Sequence, residues 1–208
     1  LSQDEVMNLQ EKRLIDQVHH CYKNTFFWRK KFENAGITPS DIKTFDDLSK
    51  IPFSEKEELQ KDQQENPPFG SYLGVHRSTL TEFTATSGTT GRPLVRVFSE
   101  RDWNINVKIA LRDPFIAPGD IAVFAGPTDA LFGPRSLVDR VTAMGGLAIK
   151  TSRFSSEDKV RIICDYKPSI VFGTPSLILY LADVAAKMGI DFSSTKPVKT
   201  LSLFGEPG

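Results

Sequence analysis

The segment Thr84-Ala-Thr-Ser-Gly-Thr-Thr-Gly-Arg-Pro93 constrains the fold more than any other part of the chain. Gly88 and Gly91 can adopt positive φ and let the backbone approach an anion closely, and successive N–H groups in such a turn form an anion-binding concavity. The neighbouring hydroxyls and the guanidinium of Arg92 add donors suited to phosphate oxygens. The predicted phosphate-binding residues are Thr86, Ser87, Gly88, Thr89, Thr90, Gly91 and Arg92.

The sequence on either side places this loop between two strands. Residues 80–85 and 94–98 are rich in β-branched and aromatic residues with alternating polarity, so both are predicted as strands. The P-loop of common NTPases instead requires Gly-x-x-x-x-Gly-Lys-Ser/Thr followed by a helix. An ordinary turn is the alternative interpretation, since Ser, Thr and Gly dominate turns. A two-residue turn would suffice for that purpose, and Pro93 stands at the start of a strand, where proline is tolerated.

The order of helical and strand patterns predicts an α/β fold. Residues 1–70 are predicted as a helical N-terminal region, ending in a polar and then proline-containing linker. Residues 71–208 alternate strands and helices, which predicts a mostly parallel sheet flanked by helices, together with the strand–loop–strand phosphate loop. Ser54 and Ser156 are predicted to cap helices. The apolar stripe of the first helix is predicted to comprise Val6, Leu9, Leu14 and Val18.

Four loops follow predicted strands and are candidate ligand sites. In open parallel sheets, ligands bind at the carboxyl ends of the strands. The loops are 126–129, 151–153, 173–175 and 205–207.

Composition excludes several classes of function. The chain of 208 residues has 26 basic and 26 acidic residues, so no global field attracts nucleic acid or an anionic membrane. No apolar run of membrane-spanning length occurs in the sequence. Cys21 and Cys164, the 2 cysteines, offer no metal-ligand spacing, and reduced thiols in a cytoplasmic protein are expected.

The loop also resembles a known family. Thr86-Ser-Gly-Thr-Thr-Gly-Arg-Pro93 looks like the signature loop of the adenylate-forming superfamily, and its surroundings resemble the phenylacetate–CoA ligase branch. The resemblance covers most of the chain, although only the loop and the Gly-Glu-Pro segment are specific. The other similar segments, in the same order as in that branch, are 27–36, 42–48, 51–59, 167–176 and 203–208.

This resemblance implies an AMP-forming acid–thiol ligase. Such an enzyme activates a carboxylic acid, here expected to be aromatic, with ATP and Mg²⁺ to an acyl adenylate, and then transfers the acyl group to coenzyme A. The partners expected are these small molecules, with a homodimer as a candidate assembly. The implied adenine and acyl pocket comprises Phe132, Gly173, Thr174, Pro175, Gly205, Glu206 and Pro207. The metal-binding motif and the catalytic lysine are expected beyond Gly208, so we expect this truncated chain to be inactive by itself.

Two positions depart from the family pattern. Thr128-Asp129 stands where the aryl-acid ligases have a Tyr-Gly pair, and a carboxylate there would repel a carboxylate substrate unless it pointed to solvent. This departure argues against phenylacetate itself. Arg92 stands where many relatives have lysine, and both residues supply the positive charge that phosphate requires.

Three alternative functions fit the loop to different degrees. A hydrolase with Ser87 as nucleophile is disfavoured, because the Gly-x-Ser-x-Gly elbow between strand and helix is absent. A nucleotide-binding module without catalysis and an adenylyltransferase that acts on a deazaflavin cofactor both remain compatible with the loop.

Overall fold

The computed structural model describes residues 1–86, 93–111, 115–129, 131–192 and 198–205. Its contacts divide the chain into two compact units, Leu1–Glu100 and Arg101–Gly208. The boundary at residue 70 between a helical region and an α/β region stays a prediction.

The first unit consists of helices followed by a β-hairpin. Three short 3₁₀ turns, at Pro39–Asp41, Phe45–Lys50 and Arg77–Thr79, connect its longer elements. The hairpin strands are antiparallel, with Ala85 opposite Val95. The longer elements are α1 (Gln3–Asn24), α2 (Phe26–Asn34), α3 (Lys56–Glu65), β1 (Leu80–Ala85) and β2 (Val95–Ser99).

The core of the first unit uses only part of the predicted stripe of α1. Val18 is buried with Phe32 and Ile42, and Leu14 packs against this cluster. Val6 and Leu9 are each 38% exposed. The carboxyl-terminal half of α1 therefore carries the packing, because its partners come from the segments that directly follow it.

The predicted cap of α3 is wrong by one residue. Glu55, not Ser54, is the N-cap, and its backbone N–H donates to Glu58 Oε2 at 2.8 Å. Lys31 Nζ lies 2.5 Å from the same carboxylate. This ion pair with α2 holds the Glu58 carboxylate where it can accept from the Glu55 N–H. The helix therefore begins directly after Glu55.

The second unit contains the predicted parallel sheet. Its strand order is β4-β3-β5-β6, and every neighbouring pair is parallel. Helices follow the strands in alternation, as the sequence predicts. The elements are α4 (Glu100–Ala110), β3 (Ile121–Phe124), α5 (Phe132–Ala143), β4 (Leu147–Lys150), α6 (Ser156–Tyr166), β5 (Ile170–Gly173), α7 (Pro175–Lys187) and β6 (Thr200–Leu203).

Each face of this sheet has its own core. Val123 and Val171 point to one face and pack with residues of α6 and α7, including Val160 and Leu181. Ala122, Phe124, Ile170 and Phe172 alternate with them and pack against α5 on the other face. The phenylalanine rings of the two central strands stack with centroids 4.6 Å apart. Burial on both faces explains why these strands are continuously apolar.

A second predicted cap also shifts by one residue. Ser155, not Ser156, caps α6, and its Oγ accepts from the Asp158 N–H at 3.1 Å. The same hydroxyl donates to Asp158 Oδ2 at 2.7 Å. The carboxylate three residues along makes Ser155 the better cap, since Ser156 has a lysine at that spacing.

Candidate functional site

The base of the predicted phosphate loop is a closed hairpin. The Thr86 N–H donates to the Leu94 carbonyl at 3.0 Å, and the Leu94 N–H donates to Thr86 Oγ1 at 3.0 Å. The prediction that the loop joins two strands is therefore confirmed. The residues between these anchors, Ser87, Gly88, Thr89, Thr90, Gly91 and Arg92, lie outside the described residues, so their binding role stays a prediction.

A glutamine that no sequence pattern singles out also holds the base of the loop. Gln63 of α3 donates from Nε2 to the Val95 carbonyl at 2.7 Å and accepts from the Val95 N–H at Oε1, at 3.1 Å. A glutamine in a polar helix carries no sequence signal for such a contact. The hydrogen bonds of Thr86 with Leu94 and of Gln63 with Val95 together fix the backbone at the start of β2.

The parallel sheet of the second unit has a reversal of winding between β3 and β5. The chain passes from β3 to β4 on one side, and then returns across β3 to β5 and β6 on the other side. In open α/β sheets, the carboxyl ends of the two strands at such a reversal flank the ligand crevice. The loops that begin at Gly126 and Gly173 occupy this position.

Glycines bring three of the predicted loops close together at this edge. A Cβ on Gly126 would lie 3.7 Å from Leu177 Cδ2 at the start of α7, and a Cβ on Gly205 would lie 3.6 Å from Thr174 Cγ2. A Cβ on Gly173 would lie 2.8 Å from Ile178 Cδ1, so this position requires glycine or a shift of that side chain. The structure thus brings together the loops after β3, β5 and β6.

Several of the predicted pocket residues also have structural roles. Thr174 caps α7, and its Oγ1 accepts from the Leu177 N–H at 3.4 Å, while Pro175 occupies the first turn of that helix. Gly205 has φ +87°, which favours glycine. Glu206 and Pro207 lie outside the described residues. The assignment of all these residues to a pocket stays a prediction.

Phe132 lies at the first residue of α5 and packs against Trp103 of α4. The two rings meet edge to face at a centroid distance of 5.9 Å. Trp103 is 6% exposed, and its Nε1 donates to Asp139 Oδ2 at 2.7 Å. Phe132 therefore has a packing partner within the second unit, and its role in an acyl pocket stays a prediction.

The two residues of the Thr128-Asp129 pair differ in burial, whereas Arg92 lies outside the described residues. Asp129 is exposed, which meets the condition under which its carboxylate would not repel an acid substrate. Thr128 is 2% exposed, and its Oγ1 is buried without a hydrogen-bond partner in the described structure.

The described residues show neither a metal-binding cluster nor a membrane-spanning helix. They contain no group of three or more His, Cys, Asp or Glu side chains that could hold a metal ion. Among the helices in the described part of the chain, none has the length and apolar character needed to cross a bilayer.

The curated relatives reported for the chain are phenylacetate–coenzyme A ligases. No protein-family model matches the chain. The phenylacetate–coenzyme A ligase of Aromatoleum evansii is 34% identical over 200 residues, covering 91% of this chain and 43% of the relative. The phenylacetate–coenzyme A ligase of Pseudomonas putida is 30% identical over 214 residues, covering 98% of this chain and 46% of the relative. The chain therefore spans less than half the length of these relatives.

Solved structures match the fold over the whole chain. A 2-hydroxyisobutyryl-CoA ligase in complex with 2-HIB-AMP and CoA, in the thioesterification state, aligns with a TM-score of 0.90 and 27% identity, covering 100% of this chain and 45% of that one. An open conformation of such a ligase aligns with a TM-score of 0.89 and 25% identity, covering 100% and 46%.

The fold and these matches together define the class of enzyme to which the chain belongs. The chain belongs to the adenylate-forming enzymes. Within that class it falls in the phenylacetate–CoA ligase-like branch, as its sequence resemblance predicts.

Proposed function

We propose that the protein to which this chain belongs activates a small carboxylic acid with ATP and then transfers the acyl group to coenzyme A. The observation that carries this proposal is the fold match, over the whole of this chain and 45% of the other, to a 2-hydroxyisobutyryl-CoA ligase in complex with 2-HIB-AMP and CoA. The phosphate-loop sequence stands between paired strands in this fold, and the curated relatives are named for the same type of reaction.

The first step is a nucleotidyl transfer. A carboxylate oxygen attacks the α-phosphorus of ATP, the bond to the bridging oxygen of the β-phosphate breaks, and pyrophosphate leaves. Catalysis of such a step is largely positioning and charge stabilisation. In the second step, the sulfur of coenzyme A attacks the acyl carbon, AMP leaves, and the thiol proton is released.

The loop from Thr86 to Arg92 would hold the leaving pyrophosphate. Its N–H groups, hydroxyls and guanidinium would neutralise the charge that grows on the departing phosphates. Thr86 Oγ1 already accepts from Leu94, and a hydroxyl can donate at the same time, so this bond is compatible with donation to a phosphate oxygen.

Mg²⁺ accompanies ATP in reactions of this type, where it neutralises phosphate charge. The described residues offer no acidic cluster for the ion. The charge-stabilising groups that we assign to this chain are those of the loop from Thr86 to Arg92.

We propose that the carboxyl edge of the sheet in the second unit receives the adenine and acyl groups. The reversal between β3 and β5 and the adjacency of the loops at Gly126, Thr174 and Gly205 support this assignment. Glu206 and Pro207 continue the last of these loops. A cytoplasmic location is proposed from the free thiols of Cys21 and Cys164. The homodimer and the absence of a nucleic-acid partner remain predictions.

The test of this function is ATP–pyrophosphate exchange by the full-length protein with a panel of acids. Phenylacetate and 2-hydroxyisobutyrate belong in the panel because the relatives and the matching structures are named for them. We expect acid-dependent exchange and, with CoA present, an acyl-CoA detectable by mass spectrometry. ATP binding without exchange for any acid would instead identify a non-catalytic relative.

Replacement of Gly88 by valine tests the phosphate loop in the same assay. We expect exchange to be lost, because a side chain there prevents close approach of the backbone to the phosphates. Gly189→Val is the control, since Gly189 has φ +72° at the end of α7 and belongs to the second unit, about 100 residues after the loop in the sequence. If Gly88→Val exchanges at the parent rate, the loop does not bind ATP phosphates as proposed.

A further inference from the structure

The side chain of Gln63 replaces a neighbouring strand beside the phosphate loop. Its carboxamide accepts from the N–H of Val95 and donates to the carbonyl of the same residue. A peptide group of an adjacent strand would make the same kind of paired contact. The contact joins α3 to a residue 32 positions later in the chain.

Gln63 and β1 hold opposite edges of the same short backbone segment. Leu94 bonds to Thr86 on the β1 side, whereas the N–H and carbonyl of Val95 face Gln63. This alternation is the normal pattern of an antiparallel edge, because successive residues direct their peptide groups to opposite sides. Four hydrogen bonds thus fix the backbone at 94–95, just after Arg92 and Pro93.

Helix α3 is itself a firm support at this point. Asp62, next to Gln63, is 9% exposed and accepts from the Ser71 N–H and the Ser71 hydroxyl, each at 2.6 Å. Asn66 Nδ2 donates to the same carboxylate at 3.0 Å. The carboxyl-terminal half of α3 is therefore tied by hydrogen bonds to the segment that follows it, and Gln63 belongs to this part of the helix.

We propose that Gln63 is a positioning residue for the phosphate loop, on the condition, carried over from the proposed function, that the loop binds ATP. The N–H groups of the loop stabilise phosphate charge only when the backbone is held within a fraction of an ångström of its working position. Gln63 fixes the backbone at Val95, three residues after Arg92 in the sequence. It contacts the main chain of Val95, and acts on the nucleotide through that contact.

The test compares nucleotide affinities of the full-length protein and three variants. Gln63→Leu removes both hydrogen bonds at similar volume, and Gln63→Glu retains the acceptor but loses the donor when ionised. Gln64→Leu is the matched control, because Gln64 is the exposed neighbour on the same helix. The Kd values of ATP and AMP are measured by calorimetry, together with the KM values of ATP and the acid in pyrophosphate exchange and the Tm.

We expect Gln63→Leu to raise the Kd and KM of ATP by about tenfold or more, with a smaller increase for Gln63→Glu. The Kd of AMP and the KM of the acid should change less than about twofold, because neither ligand uses the β- and γ-phosphate contacts. Gln64→Leu should match the parent in every measurement.

Other results would overturn the proposal in distinguishable ways. A lower Tm for Gln63→Leu with parent-like ATP constants would make Gln63 a structural residue of the hairpin only. Equal losses for ATP and AMP would also contradict a role through the phosphate loop. If the parent protein binds no ATP, the proposed function itself fails. Should Gln63→Leu not fold, Gln63→Glu with an unchanged ratio of ATP to AMP affinity would overturn the proposal.

Discussion

At the scale of single residues, Asp120 joins the amino ends of three strands. It precedes β3, is 7% exposed, and accepts from the Ala117 N–H at 2.8 Å and the Ser169 hydroxyl at 2.7 Å. Lys199 Nζ, just before β6, lies 3.2 Å from the same carboxylate. These contacts, with the Ala117 N–H first, lower the pKa of Asp120. The residue lies at the edge of the sheet opposite the candidate ligand loops.

We predict that Asp120→Asn lowers the free energy of unfolding at pH 7 by about 1–3 kcal/mol, the usual range for a buried charged hydrogen-bond partner. Because the pKa of Asp120 is lowered in the folded state, its contribution is complete above the unfolded pKa of about 3.9 and is lost as pH falls through the folded value. The difference between parent and variant should therefore shrink below about pH 4.

Urea unfolding at a series of pH values measures this difference. Asp183→Asn is the control, since Asp183 is an exposed aspartate on α7. A variant difference that is constant from neutral to acid pH would show that the charge of Asp120 is not the stabilising feature.

At the scale of elements, helix starts depend on which of two adjacent residues finds a partner. Both shifted caps, at Glu55 and Ser155, have a carboxylate three residues along that completes the cap. Adjacent candidates look alike in sequence, and contacts such as Lys31 with Glu58 favour one of them.

The cap of α6 gives a direct prediction. Ser155→Ala should lower the free energy of unfolding by about 1 kcal/mol, because the Asp158 N–H loses its acceptor. Ser156→Ala, one residue inside the helix, should change it by less than about 0.5 kcal/mol. Chemical denaturation of the two variants is the measurement, and equal effects would contradict the assignment of the cap.

At the scale of the molecule, the second unit is stabilised by cores on both faces of its parallel sheet. Leu181 of α7 is 1% exposed and belongs to the core with α6, whereas Leu179 on the same helix is 69% exposed. Because both leucines lie in α7 and differ in burial, a comparison of their alanine variants distinguishes the effect of burial from the effect of helix propensity.

We predict that Leu181→Ala lowers the free energy of unfolding by about 2–5 kcal/mol, through lost burial and a residual cavity. Leu179→Ala should change it by less than about 0.5 kcal/mol. Urea unfolding followed by near-UV circular dichroism compares the two variants. A comparable loss for both would mean that this face of α7 is not the one buried.

Much of the fold and part of the candidate site could be predicted from sequence. The strands at 80–85 and 170–172 and the loops that begin at Gly126 and Gly173 appear in the sequence as alternation, continuous apolar character, and glycine with proline. The position of the loop between two strands could be predicted because the alternating patterns lie directly on either side of it, whereas its binding of phosphate stays a prediction. The exposure of the first half of α1 could not be predicted, since Val6 and Leu9 have the helical spacing of buried residues but are each 38% exposed.

The sequence by itself determined the class of fold, the two strands that flank the predicted phosphate loop and the family resemblance, because each depends on residues that are neighbours along the chain. Only the tertiary structure decided the strand order, which puts the winding reversal between β3 and β5. It also decided the contacts of Asp120 with Ser169 and Lys199, and the pairing of Gln63 with Val95. These contacts join residues far apart in sequence. Their partners are selected by how helices and strands bury their apolar faces, which no local pattern records.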